Sequence, residues 1–200
     1  MMVIGITGGI GTGKSTAAAC LREKGLAHID ADEISRQLTR AGSPMLPVID
    51  EAFGPGLING DGDLDRKALA SIVFSDRDKR ERLEEIMFDA IIEEIAFRID
   101  RAKEEGRARA VLLDAPLLFE AGLDTMCDCV LLLTADEDMR IKRVMERDGV
   151  TDRDVRNRIN SQMGDEEKLK RADFSIDNSG SEGELYEKLD KFLETVVRRK

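Results

Sequence analysis

A lysine and a serine that follow a run of glycines, Gly8-Gly9-Ile10-Gly11-Thr12-Gly13-Lys14-Ser15-Thr16, are the residues of this chain best suited to phosphate chemistry. Gly8, Gly13, Lys14 and Ser15 fit the pattern G-x-x-x-x-G-K-[ST]. Glycines let successive N–H groups turn inward around an anion with no side chain in the way. Lys14 is expected to reach the β- and γ-phosphates of a nucleoside triphosphate, and the Ser15 hydroxyl to take a place on Mg²⁺. Gly9, Gly11, Thr12, Gly13 and Thr16 complete the expected binding set. The setting suits this chemistry: Val3–Thr7 reads as a buried strand, and Thr16–Leu21 as a helix whose N-terminal N–H groups and dipole favour an anion. A glycine turn that binds nothing is the alternative, and Gly-Lys-Ser-Thr in this setting argues against it.

Further groups fall where they could serve the same chemistry. Asp30 and Asp32 follow a second short strand, Leu26–Ile29, at the strand end where open α/β sheets gather functional groups. One of the two would cap the helix Glu33–Thr39 while the other works. Ala110–Asp114 is a buried strand closing on an acid, and Asp114 is expected to approach Mg²⁺ or its water. Along the helix Asp136–Asp148, Arg140, Arg143 and Arg147 recur at i, i+3 and i+7, a face separate from the packing face of Ile141, Val144 and Met145. Such arginines stabilise the charge on a moving phosphoryl group, often from a lid, although a charged face can also be merely solvated.

These residues need a scaffold, and the composition allows one. With 200 residues, 42% hydrophobic, the chain can bury a sizeable core as one domain with excursions. No apolar run nears the ~20 residues of a membrane span, and the first strand starts with no basic leader before it, so a cytoplasmic address is expected. The net charge of −10 argues against a nucleic-acid surface. Cys20, Cys127 and Cys129 lack zinc-ligand spacing and read as reduced core thiols. The only histidine, His28, reads as a packed core residue, which excludes His-based triads and His-rich metal sites.

Taken in order, the first helix ends at Lys24-Gly25, Ala41–Pro44 breaks the chain, and a short helix runs to Phe53. Asn59–Asp63 is a polar turn that leads into an inserted segment. From Leu64 to Glu105 the pattern is helical throughout, with Leu69, Ile72 and Val73 on one face and Leu83, Met87, Ile91, Ile95 and Ile99 continuing the stripe. This stretch exceeds a plain crossover and suggests a substrate lobe, the alternative being a decorative insert. Cys129–Thr134 is a fourth strand, Thr151–Gln162 and Asp165–Ala172 are helices, and Phe174–Asn178 is a fifth strand. A last helix carries the stripe Leu185, Leu189, Phe192, Val196 and Val197. The pattern predicts an α/β fold with a three-layer, five-stranded parallel sheet. Its expected parts are core segments 1–58, 106–135 and 164–200, a helical substrate-binding insertion 59–105, and an arginine-bearing lid 136–163.

The chain resembles the dephospho-coenzyme A kinases over nearly all of its length. The resemblance is carried by Thr7 to Thr16, Ile29-Asp30-Ala31-Asp32, Phe53-Gly54, Asp65-Arg66, Leu69, Pro116-Leu117-Leu118-Phe119-Glu120, Arg143, Arg147, Gln162, and Ala172-Asp173 to Asn178. Pro-Leu-Leu-Phe-Glu together with Asp-Ala-Asp makes it specific. It implies a P-loop nucleotide-kinase core that phosphorylates the ribose 3′-hydroxyl of dephospho-coenzyme A with ATP and Mg²⁺, the last step of coenzyme A synthesis. It further implies Asp32 as general base with Asp30 structural, Lys14, Arg143 and Arg147 as catalytic groups, to which the helix spacing adds Arg140, and Asn178 at the nucleotide. Thr7, Asp32, Arg66, Asp114, Pro116, Leu117 and Leu118 are implied at the acceptor. No nucleic-acid or membrane partner is expected, and the sequence leaves the oligomeric state open, with a monomer favoured. Two positions depart from the family pattern: Phe88-Asp89 replaces His-Pro, and Arg140 replaces glutamine. Other small-molecule or nucleoside monophosphate kinases are the nearest rivals. A nucleotide-dependent switch is the rival from another class, and the Asn-Lys-x-Asp guanine reader of a GTPase is missing.

Overall fold

Apolar runs become strands and amphipathic runs become helices in a computed structural model that describes residues 1–74 and 76–197. Of the expected segments, residue 75 and residues 198–200 lie outside this description. In chain order the elements are β1 (Val3–Gly8), α1 (Lys14–Glu23), β2 (Ala27–Asp30), α2 (Ala31–Gln37), α3 (Met45–Phe53), α4 (Arg66–Phe74), α5 (Arg77–Glu105) and β3 (Val111–Asp114). A 3₁₀ turn (Leu123–Met126) follows, then β4 (Cys129–Thr134), α6 (Glu137–Asp148), α7 (Asp152–Asn160), α8 (Asp165–Arg171), β5 (Phe174–Asp177) and α9 (Glu182–Val197).

The strand order is β2-β3-β1-β4-β5. β1 pairs in parallel with both β3 and β4, and β4 in parallel with β5. Every residue of β1 and β3 is buried, as expected of parallel strands covered on both faces. One face of β1 and β4, through Ile4, Ile6, Leu131 and Leu133, packs under α1 and α9. On the other face, a Cβ at Gly5 would stand 2.8 Å from Cys127 Sγ and 2.9 Å from Leu118 Cδ1, so only glycine lets the loop after β3 lie this close.

Two compact units emerge: Met1–Ile29 with the described residues from Ile99 onward, and Asp30–Arg98. The helical unit therefore begins at Asp30 and not at 59. Its own core explains the difference, because Leu46 and Ile49 of α3 cluster with Leu57, Leu64, Leu69 and Met87. Nor is 64–105 one helical stretch. Leu64 forms an antiparallel bridge with Ile58, and the Asp65 carboxylate caps α4 by accepting the N–H groups of Lys67 (3.0 Å) and Ala68 (2.9 Å). Asp76 accepts the Lys79 N–H at 3.1 Å in the first turn of α5. These short acids satisfy helix-start donors and so divide the apolar stripe into two helices.

Candidate active site

The glycine loop between β1 and α1 has three of its carbonyls held by side chains from elsewhere in the fold and most of its N–H groups without a protein acceptor. Gly11 and Gly13 take φ of +81° and +87°, the left-handed region that glycine enters without strain. Arg140 Nε donates to the Ile10 carbonyl at 2.9 Å, Arg143 Nη1 to the Gly11 carbonyl at 3.5 Å, and Asn178 Nδ2 to the Thr12 carbonyl at 2.9 Å. Gln162 Oε1 accepts the Ile10 N–H at 3.0 Å, and within the loop Thr12 Oγ1 donates to Gly9 O at 2.9 Å. Among the described residues, the N–H groups of Gly11, Gly13, Lys14, Ser15 and Thr16 have no protein acceptor. A row of unpaired donors at a helix N-terminus is an anion site.

Lys14 projects from the first turn of α1 and pairs with the Asp114 carboxylate at the end of β3. Asp114 is buried, and its second oxygen lies 3.1 Å from His28 Nε2. Burial pushes the Asp114 pKa up, but the His28 hydrogen bond and the Lys14 charge outweigh it and hold the carboxyl below its ordinary value. Asp114 thus stays ionised and fixes the lysine. His28 is not a packed core histidine. It lies within β2 beside Asp114, a partner 86 positions away that no local signal in the sequence announces. Ser15 is exposed beside Lys14.

The three arginines of α6 do not share one free face. Arg140 is only 5% exposed, and besides Ile10 it binds Asp165 Oδ2 at 2.8 Å through Nη1. Spacing along a helix says which residues are neighbours but not what packs against them, and here the loop itself covers Arg140. A Cβ on Gly11 would stand 2.7 Å from the Arg140 carbonyl oxygen. Arg143 also donates to the Asn178 carbonyl at 3.0 Å, while Arg147 is exposed and paired with Asp148 at 2.7 and 3.0 Å. The other side of α6, Ile141 and Val144, packs on Val155 of α7. Gln162, just past the C-cap of α7, completes the hold on the loop although it lies outside the site set read from the sequence.

Around the loop after β3, Thr7 Oγ1 donates to the Pro116 carbonyl at 3.1 Å. Leu117 is 50% exposed, whereas Leu118 is fully buried against β1, so its side chain is core and not a substrate contact. In the helical unit, Asp30 Oδ1 accepts the Glu33 N–H at 2.9 Å as the cap of α2. Asp32 sits exposed in the first turn of the same helix. Arg66 Nη2 donates to Thr39 Oγ1 at 2.8 Å at the edge of an apolar cavity of about 250 Å³ lined by Ile49, Leu64, Leu69 and Met87.

Comparison with known proteins adds four findings. The family model described as CoaE, dephospho-CoA kinase, matches residues 2–184. The chain is 39% identical over 199 residues to the dephospho-CoA kinase of Corynebacterium glutamicum, covering 100% of this chain and 99% of that one. It is 41% identical over 188 residues to that of Geobacillus kaustophilus, covering 94% and 93%. Among solved structures, the dephospho-CoA kinase from Campylobacter jejuni superposes with a TM-score of 0.73 at 27% identity, covering 98% of this chain and 97% of that chain.

Proposed function

The chain belongs to the dephospho-CoA kinase family, transferring a phosphoryl group from ATP to the ribose 3′-hydroxyl of dephospho-coenzyme A at the end of coenzyme A synthesis, and from that premise we propose how its residues divide the work. Gly9 to Thr16 cradle the triphosphate, with Lys14 reaching the β- and γ-phosphates. The observation that carries this is the set of unpaired N–H groups of Gly11, Gly13, Lys14, Ser15 and Thr16 opposite three tethered carbonyls.

The donors present fit Mg²⁺. Both Asp114 oxygens already face cations or His28, and no group of three or more His, Cys, Asp or Glu that could hold a metal exists among the described residues. A site offering one exposed hydroxyl, Ser15, suits an ion that keeps its waters and takes its other ligands from phosphates. When bound there it neutralises charge on the β- and γ-phosphate oxygens.

Asp32 accepts the proton of the attacking 3′-hydroxyl, a role supported by the family and by its position directly after β2. Arg143 and Arg147 meet the charge that develops on the transferred group. Arg140 acts one step back, as a brace of the loop. Asn178 holds the loop at Thr12 beside the nucleotide. Thr7, Asp114, Pro116 and Leu117 are assigned to acceptor recognition, with Leu118 supporting their loop from the core, and within the helical unit Asp32 and Arg66 are assigned to the same substrate. Because reactivity rests on positioning and charge stabilisation, order in the loop decides the rate. We further propose a monomer working in the cytoplasm. In support, no helix among the described residues is long and apolar enough to cross a membrane.

The test is Mg²⁺-dependent ADP production with dephospho-coenzyme A, adenosine, AMP and no acceptor in parallel, the product identified by phosphorus NMR. Turnover confined to dephospho-coenzyme A with a new 3′-phosphomonoester is expected. Asp32→Asn should lower kcat by about 10²–10⁴. Near-normal turnover in that variant would remove Asp32 as the base.

A further inference from the structure

Lys168 on α8 has a fully buried side chain, and its ammonium makes no hydrogen bond. Among the described residues its one ionic contact is Glu120 Oε1 at 3.1 Å, too poorly aligned to count as a hydrogen bond. A buried charge so thinly compensated is expensive, and a well-packed apolar residue commonly serves stability as well or better. Stability is therefore a poor reason for this lysine to be here. The surroundings of Glu120 supply another. The same Oε1 accepts the Met163 N–H at 3.1 Å, which fixes the chain between α7 and α8 to the loop after β3.

That short segment is where both backbone polar groups of one phosphate-loop residue, Ile10, are anchored. Gln162, beside Met163, accepts the Ile10 N–H, and Asp165 holds Arg140, which donates to the Ile10 carbonyl. The path from Lys168 to Ile10 is thus continuous: Lys168 to Glu120, Glu120 to Met163, then Gln162 and Asp165 to the loop. We propose that Lys168 is a positioning residue for the phosphate loop, acting through Glu120 and residues 162–165. By attracting the Glu120 carboxylate from beneath, it keeps that carboxylate on the Met163 N–H. Glu120, whose side chain is 24% exposed, would otherwise turn to water. This inference rests on reading the loop as the triphosphate cradle.

The experiment uses the full chain carrying Lys168→Met, which removes the buried charge and keeps the apolar stem. Three quantities are read: kcat and KM for ATP and for dephospho-coenzyme A, the thermal midpoint, and hydrogen exchange of the peptide spanning Ile10. The expected result is a KM for ATP raised on the order of tenfold, with KM for the acceptor little changed, and faster exchange at Ile10. The thermal midpoint should stay the same or rise. A purely structural lysine would lower the midpoint and leave both KM values and Ile10 exchange as in the unmodified protein, and that result would overturn the proposal. If Lys168→Met does not fold, the doubly neutral variant Glu120→Gln with Lys168→Met carries the same expectation. Should the unmodified enzyme not act on dephospho-coenzyme A, the functional reading fails, while Ile10 exchange with and without ATP still decides whether Lys168 orders the loop.

Discussion

Replacing Arg140 by methionine separates a brace from a transition-state arginine. The change keeps an apolar stem and removes two hydrogen bonds from a charged donor, one to the Ile10 carbonyl at 2.9 Å and one to Asp165 at 2.8 Å. Bonds to charged groups contribute about 1.5–3 kcal/mol each. The Asp165 side chain is 32% exposed, so water recovers part of its loss, and the ion pair must be discounted for screening. A net loss of about 2–4 kcal/mol follows, and at roughly 2–4 °C per kcal/mol for a protein of this size the midpoint should fall by about 5–15 °C. Kinetically, a loop freed at Ile10 binds ATP less well, so KM for ATP rises while kcat at saturation stays within about tenfold of normal. An arginine that touches the transferring phosphoryl group behaves differently, since its loss removes about 10³–10⁵ in kcat. Thermal unfolding followed by circular dichroism and initial rates of ADP release at varied ATP measure both quantities. An unchanged midpoint with kcat down about a thousandfold would refute the brace.

Other outcomes are equally definite. The folded pKa of Asp114 lies below its ordinary value, so the stability it contributes is complete above the usual carboxylate range, above about pH 4, and disappears as pH falls through the lower folded value. Acid titration of unfolding should show this loss, Asp114→Asn should flatten it, and an identical acid limb in the variant would contradict the pairing with Lys14 and His28. Gly11→Ala puts a side chain at φ +81° and 2.7 Å from the Arg140 carbonyl, so ATP should no longer raise the thermal midpoint, and an undiminished shift would argue against the cradle geometry. Leu118→Ala should cost about 2–5 kcal/mol of stability. Leu117→Ala should leave the midpoint unchanged and raise KM for dephospho-coenzyme A, whereas equal effects at the two positions would remove the distinction between core and acceptor side.

The phosphate loop, the five strands and the stripe on α9 are readable from the chain because each is local, a matter of glycine spacing, apolar runs and helical period. The division of 64–105 is also local, and Asp65 and Asp76 announce it as caps, although the apolar stripe runs through both. Where the chain hides information, the cause is packing at long range. Arg140 has the same spacing to Arg143 as Arg143 has to Arg147 within a residue, yet one is buried under the loop and one is in solvent. His28 looks like a strand residue until Asp114, 86 positions later, lies beside it. The start of the helical unit at Asp30 depends on α3 packing with residues beyond 57, which no window of sequence contains.

The side chains that hold the glycine loop outward lie 130 to 166 positions later in the chain than the carbonyls they bind. During synthesis the loop leaves the ribosome well before Arg140, Arg143, Gln162 and Asn178 do. A nascent chain that already carries the entire glycine-lysine-serine motif therefore has the ligand-binding sequence without the ligand-binding shape. Pairings so distant in sequence form late because the chain between them must close first. Nucleotide capture is thereby reserved for a chain extended past Asn178, and a premature stop before residue 140 yields a product that displays the motif and is blind to ATP.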